Sequence, residues 1–105
     1  MYFVQAHMEY LAAPDAESVR RRLHEHATAD HRLQHVYVQC EGTQVSVVFF
    51  LLAPDLAHAE SSARALCLLE LHPEPLSPRG RLLSSTATFA PAFGPTWPGE
   101  RGAGG

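Results

Sequence analysis

Lysine is missing from this chain, and all eight of its basic residues are arginine. Together with abundant alanine, that matches the codon bias of a GC-rich bacterial genome and carries no functional weight. Basic charge is in short supply overall: eight arginines face eleven acids, for a net charge of −3. A nucleic-acid binder normally advertises a basic face, so no nucleic-acid partner is expected. Cysteine is scarce as well. Cys40 and Cys67 are too few for a disulfide scaffold, and each sits in an apolar stretch, so both are expected as buried free thiols. Long apolar runs are lacking. The longest, from Val45 to Ala53, is broken by Ser46 and is too short to span a bilayer, so no membrane partner is expected. Residues 1–5 lack the basic n-region of a signal peptide, which leaves a cytoplasmic location as the default expectation. There is no Gly-rich phosphate loop, zinc-type cysteine pair or nucleophile elbow, and no cofactor is expected.

Proline and glycine are almost excluded from the first 72 residues. Six of the eight prolines and six of the seven glycines fall at 73–105. The body of the chain is therefore free to form regular structure. Residues 2–11 alternate, with Tyr2, Val4, Ala6, Met8 and Tyr10 on one side and Phe3, Gln5, His7, Glu9 and Leu11 on the other, as in a strand with one drier face. Pro14 and Asp15 punctuate a helix start. Ala16, Val19, Leu23 and Ala27 then recur at helical spacing, which leaves Arg20, Arg21 and Arg22 as a solvated run. A second strand covers 35–41 and a third covers about 44–52, with the short connection at Glu41-Gly42 predicting a hairpin. A second helix runs over about 55–71, with Leu56, Ala59, Ala63, Leu66 and Cys67 inward.

Two segments repeat. Leu11-Ala12-Ala13-Pro14-Asp15, with Glu17-Ser18, is echoed by Leu52-Ala53-Pro54-Asp55, with Glu60-Ser61 three residues later than strict register. Both lead an apolar strand into a helix, as in a duplicated βα unit. The order βαββα, with a further edge strand over 82–89, predicts an α+β fold of the ferredoxin-like split βαβ type: one antiparallel or mixed sheet with two helices on one face. Residues 1–90 form the expected domain and 91–105 a flexible Pro/Gly-rich tail. Phe89, Phe93 and Trp97 give that tail three evenly spaced aromatics, suited to docking on an apolar surface.

If both helices cover one face, the other carries His7, Glu9, His35, Tyr37, Gln39, Ser46, Val48, Phe50 and Leu52. The hairpin sets His35 opposite Phe50. With His7 and Glu9 taken to approach the same end, His7, Glu9, His35 and Tyr37 become the candidate acid–base group. No metal site is expected: His7 and His35 stand about two strand spacings apart, about 10 Å, and no third ligand is evident. His24-Glu25-His26 points in divergent directions on a helix and cannot chelate. His31 and His35, four apart, do not share a helix. The closing Gly104-Gly105 resembles the end of conjugated ubiquitin-like proteins in two residues only, and the strand order differs from theirs.

The leading expectation is a small non-catalytic domain that self-associates as a homodimer, or binds a protein partner, through Gln39, Val48, Phe50 and Leu52 on the open sheet face. The first alternative is a dimeric α/β-barrel-type binder of a small molecule, or a cofactor-free enzyme, using His7, Glu9, His35 and Tyr37. The second is an assembly component that docks through Phe89, Phe93 and Trp97.

Overall fold

The computed structural model describes residues 1–74 and 76–89. The chain runs β1 (Tyr2–Tyr10), α1 (Ala16–His26), a 3-10 turn (Ala29–His31), β2 (Leu33–Glu41), β3 (Gln44–Leu51), α2 (Leu56–Leu71) and β4 (Gly80–Phe89). The four strands form one antiparallel sheet in the order β2-β3-β1-β4, an α+β architecture. β1 and β3 are its interior strands, and β2 and β4 are its edges. The Phe93 and Trp97 positions of the expected tail lie outside the described residues, as does the side chain of Phe89. The backbone of Phe89 pairs with Tyr2 at the end of β4.

Each helix is started by an aspartate. Asp15 accepts a hydrogen bond from the backbone N–H of Ser18, and Asp55 accepts one from that of His58. These caps satisfy N–H groups that the first helical turn leaves without partners. Pro14 and Pro54 therefore precede the caps rather than occupy the first helical position. The two Ala-Pro-Asp segments thus do the same local work at both crossovers.

The alternation in β1 and β3 sorts their side chains cleanly. Val4, Ala6, Met8 and Tyr10 of β1 and Val45, Val47, Phe49 and Leu51 of β3 are buried together with Val36 of β2. Against this face α1 packs Val19 and Leu23, and α2 packs Ala59, Ala63, Leu66, Cys67 and Leu71. Each large apolar side chain removed from water contributes about 1.5–3 kcal/mol. Leu56, expected inward, is exposed, because the buried stripe of α2 begins one turn later at Ala59. Cys67 is buried as expected, whereas Cys40 on edge strand β2 is half-buried; both are free thiols.

Two backbone positions depend on glycine. Gly42 opens the two-residue β2–β3 turn at φ 63°, a left-handed value that a side chain resists. Gly80 pairs with Tyr10 where β4 meets β1. A Cβ there would stand 2.1 Å from the backbone oxygen of Glu9 and 2.7 Å from Cα of Tyr10. Further along the same pair, Ser84 faces His7 and Leu82 faces Met8, so Leu83 bulges outward and is exposed.

A buried carboxylate ties the layers together. Glu70 of α2 is fully buried and accepts hydrogen bonds from the Tyr10 hydroxyl at 2.9 Å, from Arg22 Nη2 at 2.7 Å and from Arg22 Nε at 3.0 Å. His26 Nε2 stands 3.5 Å from it. Arg22, expected in solvent with its neighbouring arginines, instead converges with His26 on Glu70 from α1. Burial, and then the neighbouring Glu70 carboxylate, push the Tyr10 hydroxyl well above the usual phenol range. Burial likewise pushes the Cys67 thiol up to about 12. Among the described residues, no helix is long and apolar enough to cross a membrane.

Candidate functional site

The sheet face turned away from the helices is arranged in four rows set by the strand register. Crossing from β2 to β4, the first row is His35, Phe50, Phe3 and Thr88, and the second is Tyr37, Val48, Gln5 and Thr86. The third is Gln39, Ser46, His7 and Ser84, and the fourth is Glu41, Gln44, Glu9 and Arg81. Aromatic groups therefore collect at one end of the face and charged groups at the other.

At the aromatic end the rings form a connected chain across three strands. Phe3 and Phe50 lie 6.0 Å apart between centroids, Phe50 and Tyr37 5.9 Å, and Tyr37 and His35 4.4 Å. The last two pairs meet edge to face, an arrangement favoured by the ring quadrupole. Tyr37 retains 46% of its accessible surface. Val48 adjoins this cluster, and with Tyr37, Val38, Gln39 and Ser46 it lines a shallow depression of about 260 Å³.

The polar end is paired off. Arg81 Nη2 donates to Glu9 Oε1 at 3.0 Å, which occupies the carboxylate expected to act with histidine. His7 Nδ1 instead meets the Ser46 hydroxyl at 3.2 Å. A histidine and a serine at that distance can exchange a proton. Both, however, sit on a flat exposed surface, and the nearest carboxylate on this face is engaged by arginine.

The expected four-residue group is thus divided. His35 and Tyr37 share the aromatic end, whereas His7 and Glu9 lie in the third and fourth rows. β1 runs antiparallel to β3, so Phe3, and not Glu9, comes to rest beside Phe50. Four residues of strand separate the His7 row from the Phe3 row, about 13 Å. Gln39 takes its place on the face. Leu52 leaves it: past the end of β3 its backbone N–H donates to Arg32 O, and it borders a groove with Ala29, Arg32 and His58. Phe3 was not singled out from the sequence, although the alternation of β1 already placed it on this face. Among the described residues, no group of three or more His, Cys, Asp or Glu side chains is arranged to hold a metal ion.

Compared with models of protein families, with curated proteins and with solved structures, the chain matches none.

Proposed function

We propose that this chain is a small interaction domain that self-associates through the aromatic end of its open sheet face. The observation that carries the reading is the continuous chain of rings from Phe3 through Phe50 and Tyr37 to His35, extended by Val48. All five lie on the side of the sheet opposite both helices. Large aromatic side chains grouped on a surface contribute most to protein contacts, because they bury much area and lose little conformational freedom. A second copy is the occupant that the charges favour. The cluster holds no carboxylate or guanidinium; the charged residues of the face, Glu41 and the paired Glu9 and Arg81, lie in the fourth row at its other end. Two such faces meet without like-charge repulsion.

The size of the face sets the strength. Its rows span three strand spacings, about 14 Å, and its length is about 20 Å, so a pair of copies buries an area at the low end for specific interfaces. A weak, concentration-dependent dimer is expected. The strand order fits the same reading: with β1 and β3 central and each helix linking strands one apart, we take the domain as a ferredoxin-like split βαβ sandwich. The enzymatic alternative has less support, since His7 and Glu9 do not converge with His35 and Tyr37.

Sedimentation velocity across a concentration series tests the reading. The full chain should shift from monomer to dimer, and Phe50→Ser or Tyr37→Ser should suppress the shift while leaving far-UV circular dichroism unchanged. A chain that remains monomeric at millimolar concentration, or dimerisation that survives both substitutions, would refute it.

A further inference from the structure

We propose that a groove at the polar end of the domain binds a free α-amino acid with an apolar side chain, its carboxylate held by Arg79 and Arg22 and its ammonium by Asp15. The inference goes beyond the self-association reading and uses none of the residues on which that reading stands.

The groove has a volume of about 360 Å³ and lies between the β1–α1 connection, the first turns of α1 and the segment that leads into β4. That is the small end of the range for ligand sites, which suits one small molecule rather than a nucleotide or a peptide. Tyr10, which adjoins the groove, follows Glu9 of the fourth row, so the site lies at the end of the sheet away from the aromatic rings.

Three charged groups of the lining keep bonding capacity that the fold does not use. Arg22 commits Nε and Nη2 to Glu70, and its Nη1 has no hydrogen bond among the described residues. The two-armed pairing with a fully buried carboxylate fixes the direction of that guanidinium. Arg79 is exposed, and among the described residues its guanidinium makes neither a hydrogen bond nor an ion pair. Its backbone is nonetheless pinned, with its N–H donating to Leu71 O at 2.6 Å and its carbonyl accepting from the Leu11 N–H at 2.8 Å. Asp15 accepts both the Ser18 N–H and the Ser18 hydroxyl at Oδ2, each at 3.0 Å, which leaves Oδ1 open.

These open groups select a ligand by charge. A bare anion would meet the guanidiniums but also the Asp15 carboxylate, and a bare cation would meet Asp15 but also two guanidiniums. A small molecule that carries both charges satisfies all three. Glu70 already neutralises Arg22, so Arg79 is left as the uncompensated cation, which fits a singly charged carboxylate better than a doubly charged phosphate. The wall beside them is apolar, formed by Leu11, Ala12 and Pro14. Leu11 retains 76% of its accessible surface, and an apolar ligand side chain laid against it removes both from water.

Leucine is the probe. In amide correlation NMR spectra of the full chain, L-leucine should move the signals of Leu11, Ala12, Ser18 and Arg79, with a Kd of about 1 mM, as suits an open groove whose charge pairs are screened. 4-Methylpentanoate, which lacks the ammonium, and isoamylamine, which lacks the carboxylate, should each bind about tenfold more weakly. Arg79→Gln should weaken leucine by about the same factor. Asp15→Asn keeps a competent helix cap but loses the charge. It should therefore weaken leucine about tenfold yet strengthen 4-methylpentanoate, a reversal that a purely structural role would not produce. Circular dichroism should be unchanged in both variants. Leucine that leaves those amides unmoved at twenty times the expected Kd, or that moves the aromatic face instead, would overturn the proposal. So would 4-methylpentanoate that binds as tightly as leucine, which would make the groove a plain anion site. Neither result bears on self-association, whose diagnostic substitutions, Phe50→Ser and Tyr37→Ser, should leave leucine binding intact.

Discussion

Removing Arg22 should destabilise this domain more than any other single change on its surface. Glu70 is fully buried, and its carboxylate oxygens are held by Arg22 Nη2 at 2.7 Å, by Arg22 Nε at 3.0 and 3.1 Å, and by the Tyr10 hydroxyl at 2.9 Å. Arg22→Ala takes away every arginine bond and leaves a buried carboxylate with Tyr10 and a His26 nitrogen at 3.5 Å. Breaking a buried pair in this way costs about 3–5 kcal/mol. A domain of this size has a total stability of about 5–15 kcal/mol, so the loss is a large fraction of the whole. The reverse deletion should be milder. The Arg22 side chain keeps 24% of its surface, so in Glu70→Leu the guanidinium can turn to water. Tyr10→Phe removes one hydrogen bond to a charged acceptor and should cost about 1.5–3 kcal/mol. Replacing both charged partners, Arg22→Met with Glu70→Leu, should recover most of the loss, because an apolar pair of similar volume needs no compensation. Urea unfolding followed by circular dichroism measures all four variants. An Arg22→Ala loss below about 1 kcal/mol would mean that Glu70 is solvated, and would refute the reasoning. So would a double variant whose loss equals the sum of the two single losses.

Three further outcomes are expected. Gly80→Ala should cost about 1–3 kcal/mol by forcing β4 away from the Glu9 backbone, and thermal unfolding will show whether that contact is as tight as the 2.1 Å approach implies. Asp15→Ala and Asp55→Ala should each cost about 1 kcal/mol, while Asn at either site should restore most of it; equal stability of the Ala and Asn variants would argue against side-chain capping. In the folded state Cys67 holds its proton more tightly than the ordinary thiol value of 9.0, with its titration moved up to about 12. That contribution is complete below pH 9, declines between pH 9 and pH 12, and is worth at most about 4 kcal/mol. Tyr10, also raised, acts in the same direction, so the urea midpoint should fall on the alkaline side, and less steeply in Cys67→Ala.

Much of the layer structure is legible along the chain, and the reason is local. The strict alternation of residues 2–10 assigns Val4, Ala6 and Met8 to one face and Phe3, Gln5 and His7 to the other without knowledge of any neighbour. The Ala-Pro-Asp segments mark both helix starts because capping involves only the next three residues. What local pattern cannot supply is direction and distance. Whether Phe3 or Glu9 lies beside Phe50 depends on β1 running antiparallel to β3, a choice made by the crossover through α1 and β2. The Glu70 centre is hidden for a similar reason: its partners Arg22 and Tyr10 are 48 and 60 residues away in sequence. In the linear reading Arg22 is one of three consecutive arginines, and Glu70 is one of two acids in a largely apolar helix. The bulge at Leu83 has no distinguishing residue type, so the outward turn of that leucine was not foreseeable.

Concentration-dependent NMR of the full chain tests the role of the sheet face most directly. As the protein is taken from micromolar to millimolar concentration, association through the aromatic end predicts amide shifts that cluster at Phe3, His35, Tyr37, Val48 and Phe50, with α1 and α2 unchanged. Shifts centred on the exposed Leu68 and Leu69 of α2, or spectra that do not change with concentration, would contradict it.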